Sequence, residues 1–234
     1  KFFFYFGWFF GFGYFLTSLY WITISLTFDE NFSFLIPIAL ILIPSFLASF
    51  YGLSTLVFYL IAPKNIMSAF FLFSLLFGMT EFLRGTILTG FPWNLIVYSF
   101  SDNRIFISII SLIGTYSLNL LVISFFIAPA IYVLRKSKKE IVVCIILFFF
   151  SISFLSYGIF QKKKFEGNEE KENTFIIRII GSNISLDRFY DNSQTEAVIK
   201  ELISISSPPK NKKIFFVWPE GIIPNIYQDE LYLY

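Results

Sequence analysis

The stretch VWPEGIIPN, residues 217–225, sets one carboxylate, Glu220, between Pro219 and Pro224. Before it, KNKKIFF reads as a charged turn running into an apolar strand. A carboxylate just past the C-terminal end of a buried strand stands where open α/β folds place their active sites. Pro219 restricts the backbone beside it, so the Glu220 side chain is held in a defined direction. The competing reading is an ordinary turn glutamate facing water. A second constellation lies in TEFLRGTILTGFPWN, residues 80–94. Glu81 and Arg84 are three apart, so on a helix they share a face and can pair. Charge at membrane depth is costly and is either structural glue or functional. One reading makes the pair a clamp that fixes the following segment; the other gives it a part in chemistry. Gly90 and Pro92 break the helix after it. Irregular backbone at this depth lines a cavity or sits against protein, and such a cavity could admit a lipid chain. Trp93 is of the type that anchors at a membrane interface.

The rest of the chain offers few other groups. It contains no histidine and one cysteine, Cys144. That count rules out an internal disulfide and a zinc cluster, and removes the commonest general base near neutral pH. Acid–base work falls to Glu, Asp, Lys, Tyr or Cys. Cys144 lies within IVVCIILFFF, where a thiol behaves as a small hydrophobe. The sequence calls for no metal or other cofactor.

The elements that must position these residues follow from composition. Of 234 residues, 56% are hydrophobic, 22% aromatic and only 15% charged, and the mean hydropathy is +0.70. A soluble globule of this size cannot bury that much apolar surface, so the first 160 or so residues are expected to face lipid. The net charge of +2 gives no footing for nucleic acid. Five apolar runs are long enough to span: about Phe2–Phe28, Phe34–Ala62, Ile66–Leu83, Ile105–Leu134 and Ile141–Phe160. In the first, Gly7, Gly11 and Gly13 would let helices approach closely. The second, with Pro37 and Pro44 near its start, is long enough to predict a tilt, a kink or an interfacial start. Residues 84–103 are too broken by Gly and Pro for an ordinary span and read as interfacial or re-entrant.

After residue 160 the composition changes. QKKKFEGNEEKEN, residues 161–173, is a charged linker. TFIIRIIGSNI reads as a strand, SQTEAVIKELISIS as a helix with Ala197, Val198, Leu202 and Ile205 on one face, and IFFVW as a second strand. The β–α–β order predicts the opening of an α/β domain with a buried sheet over residues 174–234. The bundle occupies residues 1–160. Orientation follows from basic residues in short loops: RKSKKE, residues 135–140, and Lys64 are assigned to the cytoplasmic side. The loops near Asp29 and Glu81–Asn103, and the soluble tail, then lie opposite. The basic run at 161–164 opposes this assignment.

Four segments together resemble apolipoprotein N-acyltransferase, a family of bacterial membrane enzymes with a nitrilase-like domain. FGWFFGFGYFLTSLYWITISL resembles that family's third span, and TEFLRGTILTGFPWNLIVYS its signature loop, the most specific match. RIIGSNISLDRFYDN resembles the first strand and following loop of the nitrilase-like domain, and FVWPEGIIP the strand carrying its catalytic glutamate. The matches fall in the family's order. The fold implied is a multi-span α-helical membrane bundle followed by the start of an α/β nitrilase-like domain, an α-β-β-α sandwich when whole. The resemblance implies a Glu–Lys–Cys triad in which Glu220 is the general base. It also implies a cysteine thioester and transfer of an acyl chain from a phospholipid to the N-terminal amine of a diacylglyceryl-cysteine lipoprotein. The bilayer, a phospholipid donor and a diacylated lipoprotein are the implied partners. The implied location is the bacterial inner membrane, with the catalytic domain outside the cytoplasm. Glu81, Arg84, Pro92 and Trp93 become membrane-loop candidates, and Tyr190 with Asp191 a substrate-side loop. Where the family usually has glutamine or proline after the first strand this chain has GSNIS, and Tyr190 stands where the family usually has tryptophan.

The family's two further initial spans, and its lysine and cysteine, have no counterpart among these residues. Residue 1 is Lys, inside an apolar run without the marks of a signal peptide. The expectation is therefore of a chain cut at both ends and inactive alone. Two other functions compete: a membrane-tethered nitrilase-like amidase acting on a soluble amide, and a multi-span transporter or structural protein in which Glu81 and Arg84 line a path.

Overall fold

A computed structural model describes residues 1–88, 90–167, 176–181, 195–207 and 214–223. It divides into two units, residues 1–167 and 168–234, each described by itself.

The first unit is helical. Among the described residues five stretches are long and apolar enough to cross a membrane: Phe2–Thr27, Glu30–Ile61, Ile66–Thr86, Thr115–Leu134 and Lys138–Glu166. Their cores are helices α1 (Phe2–Leu19), α2 (Ile36–Ile61), α3 (Ile66–Thr86), α6 (Thr115–Leu134) and α7 (Lys138–Glu166). Two short helices, α4 (Arg104–Ile107) and α5 (Ile110–Ile113), stand before α6. The outside of the bundle is Phe, Leu and Ile, as a lipid-facing surface requires. On α7 the buried residues Glu140, Leu147 and Phe154 recur every seven, a single seam, while Phe148, Phe149 and Phe150 face out.

α1 and α2 run antiparallel in close contact. A side chain at Gly7 would collide with Thr55 Oγ1 and lie 2.5 Å from the Tyr51 carbonyl, and one at Gly11 would lie 3.0 Å from the Ala48 Cα. Glycine at these two positions is what lets the backbones meet. Gly13, expected to do the same, has open space around its α-carbon, because it points away from α2. Pro37 falls in the first turn of α2, where its missing N–H is harmless, and Pro44 lies buried inside it.

The expected fourth span, Ile105–Leu134, is not one helix. Gly114, at φ +79° and ψ 164°, interrupts it. Ahead of the break, Phe106 and Ile109 turn inward to join Leu95, Val97, Leu118, Val122 and Phe154 in a buried cluster. Burying these apolar groups under a short α4 outweighs continuing a span. Gly158 permits this, since a side chain there would strike the Ile105 carbonyl. The third and fifth helices outrun their expected ends, to Thr86 and Glu166. α7 also starts earlier, at a capping box: Ser137 Oγ accepts the Lys139 N–H, and the Glu140 carboxylate accepts the Ser137 N–H.

In the second unit, strands β1 (Ile176–Ile179) and β2 (Ile214–Val217) pair in parallel, with α8 (Thr195–Ser206) between them in sequence. The register sets Ile177 beside Phe215 and Ile179 beside Val217. All four are exposed, so the face they share is uncovered among the described residues, where a buried sheet was expected. One helix can cover only one face of a two-stranded sheet. α8 buries Thr195, Val198, Ile199, Leu202 and Ser206, whereas Ala197 and Ile205 point outward. The expected face is thus rotated, because Ile222 and Trp218 from beyond β2 pack onto Val198 and Leu202.

Candidate functional site

The membrane-loop candidates form one hydrogen-bonded cluster at the C-terminal end of α3. Glu81 and Arg84 are 0% and 1% exposed. Arg84 Nη2 donates to Glu81 Oε2 at 2.9 Å and Nε to Oε1 at 3.3 Å. Tyr51 of α2 donates its hydroxyl to Glu81 Oε1 at 2.8 Å. The remaining reach of the guanidinium goes into the loop: Arg84 Nη1 donates to the Phe91 carbonyl at 2.5 Å and to Asn94 Oδ1 at 3.0 Å. Asn94 in turn donates through Nδ2 to Ser18 Oγ at 2.9 Å, and its carbonyl accepts from the Tyr14 hydroxyl at 2.9 Å. The Phe15 ring lies under the guanidinium at 5.2 Å. One arginine therefore ties α1, α2 and α3 to the loop that follows. Its planar fork suits this, offering five donors in a fixed arrangement.

The loop backbone is shaped to meet that fork. The Phe91 N–H donates back to the Arg84 carbonyl at 2.8 Å, and the Gly90 N–H to the Ile87 carbonyl at 2.9 Å. Gly90 sits at φ +77°, a left-handed conformation open to glycine at little cost. Beyond the turn Pro92 is half-buried, and Trp93 is 68% exposed. The chain then re-enters the core at Leu95 and Val97, where the Val97 N–H donates to Asn119 Oδ1 at 2.8 Å. An apolar groove of about 380 Å³ runs between α2 and this loop, lined by Leu42, Phe46, Leu47, Leu88 and Phe91 among others.

Both oxygens of Glu81 accept donors from Arg84 or Tyr51. Through these bonds the cluster fixes the position of the loop. Tyr14, Ser18 and Tyr51 escaped the sequence reading. The available signal was weak: polar groups at points within otherwise apolar spans.

Glu220 belongs to the second unit. It is exposed, on a turn three residues past the end of β2. Gly221 is at φ +69°, and the Ile222 N–H reaches the Pro219 carbonyl at 3.4 Å. The turn is pinned on both sides: Ile222 is buried against α8, and Trp218 Nε1 donates to Ser206 Oγ at 3.0 Å. Arg178 of β1 donates to the carbonyls of Ser206 and Ser207 at 2.6 and 3.0 Å, closing the end of α8. Tyr190 and Asp191 lie outside the described residues. Cys144 is half-buried in α7, its Sγ 3.6 Å from the Ala128 carbonyl. Among the described residues no group of three or more Cys, Asp or Glu is placed to hold a metal.

Five apolar helices, three of them meeting at a buried ion pair, followed in the chain by a parallel β–α–β unit, define a polytopic membrane protein with an appended α/β segment. The Apolipoprotein N-acyltransferase N-terminal domain matches residues 1–128. Over 227 residues the chain is 28% identical to an apolipoprotein N-acyltransferase of Brucella melitensis, covering 95% of this chain and 42% of that protein. It is 30% identical over 230 residues to those of Rhizobium leguminosarum and Rhodopseudomonas palustris, covering 95% and 93% of this chain and 43% and 42% of theirs. The chain belongs to the apolipoprotein N-acyltransferase family, and it spans less than half the length of these relatives.

Proposed function

We propose that the protein carrying these residues is an N-acyltransferase that moves a fatty acyl chain from a phospholipid to the N-terminal amine of diacylglyceryl-cysteine lipoproteins. What most supports this is one arrangement. Glu220 stands on a pinned turn directly after a strand of a parallel β–α–β unit, in the same chain as a bundle matched by the family's N-terminal domain. In this reading the β–α–β unit opens a nitrilase-like domain. Glu220 takes the proton of a cysteine thiol, which is a weak nucleophile until a base acts on it. The thiolate attacks the ester carbonyl of the phospholipid, and the lysophospholipid alkoxide leaves with that proton. The α-amino group of the acceptor then attacks the thioester and releases the thiol. A lysine would hold the oxyanion of each tetrahedral intermediate.

The thiol in this scheme is not Cys144, which is packed beside Phe70, Ile131 and Leu147 in the bundle. The resemblance assigns both the thiol and the lysine to sequence beyond Tyr234, so the 234 residues alone are expected to form no thioester. The groove beside Phe91, with Pro92 and Trp93 at the loop, is suited to an acyl chain, and the loop of Tyr190 and Asp191 is assigned to the substrate side. In this reading the protein sits in the bacterial inner membrane with Glu220 outside the cytoplasm. The burial of Glu81 and Arg84 and their bonds to each other speak against a transporter in which they would line a path.

The test is Glu220→Gln in the full protein, incubated with phospholipid and examined by intact mass. The thioester adduct should disappear while membrane insertion is unchanged; an adduct of undiminished yield overturns the assignment.

A further inference from the structure

The end of the bundle opposite the Glu81–Arg84 cluster has its own arrangement of charge and space. Phe70 near the start of α3, Ile131 near the end of α6 and Leu147 near the start of α7 pack together. This brings the α2–α3 turn and the α6–α7 turn to one end. These turns and the first residues of α7 carry Lys64, Arg135, Lys136, Lys138 and Lys139, all at the surface or half-buried, against a single acid, Glu140. Glu140 is engaged by Ser137, through its N–H at 2.9 Å and its hydroxyl at 2.5 Å. Arg135 folds over the Tyr132 ring at 4.1 Å, and the lysines are left facing outward.

Below these charges an apolar groove of about 460 Å³ opens between α3, α6 and α7. Phe71, Ser74, Leu121, Val143, Ile146 and Phe150 are among its walls. At about 1.5 Å per residue it begins roughly 8 Å below Lys138, at Val143, and runs to roughly 18 Å, at Phe150. From Lys138 that span reaches to about the midplane of a bilayer whose hydrocarbon core is about 30 Å thick. The walls are mostly bulky and apolar, with Ser74 and Ser124 as their small residues. Ser74 Oγ lines the groove, is buried, and has no hydrogen-bond partner among the described residues.

We infer that this end of the bundle binds an anionic phospholipid, with its phosphate among Arg135, Lys136, Lys138 and Lys139 and one acyl chain in the groove between α3, α6 and α7. Charge complementarity selects the head group: basic clusters next to a membrane span attract anionic lipid, by about five-fold for each charge. The length and apolar lining of the groove select the chain. The inference rests on the membrane-spanning bundle and not on the acyltransferase reading. The site lies at the opposite end of the bundle from the signature loop and is separate from any acyl-donor site there.

The test is lipid retention by the full protein, purified in detergent with equal phosphatidylglycerol and phosphatidylcholine of matched chains and read by native mass spectrometry. Phosphatidylglycerol should be retained at least about ten-fold over phosphatidylcholine. The variant Lys136→Gln/Lys138→Gln/Lys139→Gln should abolish that preference. Ile146→Trp, which fills the groove from an exposed position, should lower retention of both lipids. Excess inorganic phosphate should leave the lipid bound. Equal retention by the unmodified protein, an undiminished preference in the lysine variant, unchanged retention in Ile146→Trp, or displacement by inorganic phosphate would each overturn the proposal. Elution and thermal stability of the variants establish that they remain folded. No readout uses enzyme activity, so failure here leaves the acyltransferase reading untouched.

Discussion

Replacing Arg84 with methionine tests the central claim about the membrane loop. Arg84 makes two contacts to Glu81 and one each to the Phe91 carbonyl and Asn94 Oδ1. Without it, the Glu81 carboxylate stays buried with the Tyr51 hydroxyl as its remaining donor among the described residues. Stranding one member of a buried ion pair costs about 3–5 kcal/mol. Two half-buried acceptors, the Phe91 carbonyl and Asn94 Oδ1, also lose a donor, each at the lower end of about 1–3 kcal/mol before relaxation. The loop can relax and recover part of that second loss, so the expected net cost is at least about 3 kcal/mol. The assay is unfolding in mixed micelles by titration with a denaturing detergent, for Arg84→Met, Glu81→Leu and the double variant. If the pair is a unit, the double variant should cost less than the sum of the singles by about 1–3 kcal/mol. Trp93 should also become more accessible to a soluble quencher in every variant lacking Arg84, since the loop loses its tether. A cost below about 1 kcal/mol for Arg84→Met, or additivity within about 0.5 kcal/mol, would refute the reasoning.

Two further substitutions test how the bundle holds the loop. Gly7→Leu forces a side chain into the Tyr51 carbonyl and should separate α1 from α2 at a cost of about 1–3 kcal/mol or more, read as a lowered unfolding midpoint. Gly13→Leu, in open space, should be close to neutral in the same measurement. Asn119→Leu leaves the buried Val97 N–H without its acceptor and should cost about 1–3 kcal/mol; an unchanged midpoint would show that another acceptor takes over.

Much of this architecture is legible in the sequence, because the bilayer imposes a simple rule. A span must be about 20 apolar residues, and the Phe-, Ile- and Leu-rich runs satisfy it without reference to anything distant. The i, i+3 spacing of Glu81 and Arg84 likewise foretells a pair, since helix geometry brings such residues together. The Gly90–Phe91–Pro92 break is local chemistry too. The parallel pairing of β1 with β2 follows the β–α–β order.

The rest depended on what lies across the fold. Ile105–Leu134 is apolar enough for one span, yet Gly114 breaks it so that Phe106 and Ile109 can meet Leu118 and Phe154, contacts that no local window contains. Gly7, Gly11 and Gly13 look alike in sequence, but only the position of α2 decides which two matter. Hydropathy cannot say that Tyr51 meets Glu81 or that Tyr14 and Ser18 meet Asn94, because each pair is separated by 30 residues or more. The sequence by itself determined where the spans lie, apart from the start of the fourth, and also the broken loop and the turn that bears Glu220. Tertiary structure alone decided that Arg84 bonds the loop at Phe91 and Asn94 while Glu81 and Asn94 bring in Tyr51 of α2 and Tyr14 and Ser18 of α1. A buried charge must find every partner within reach, and those partners come from wherever the chain has folded back.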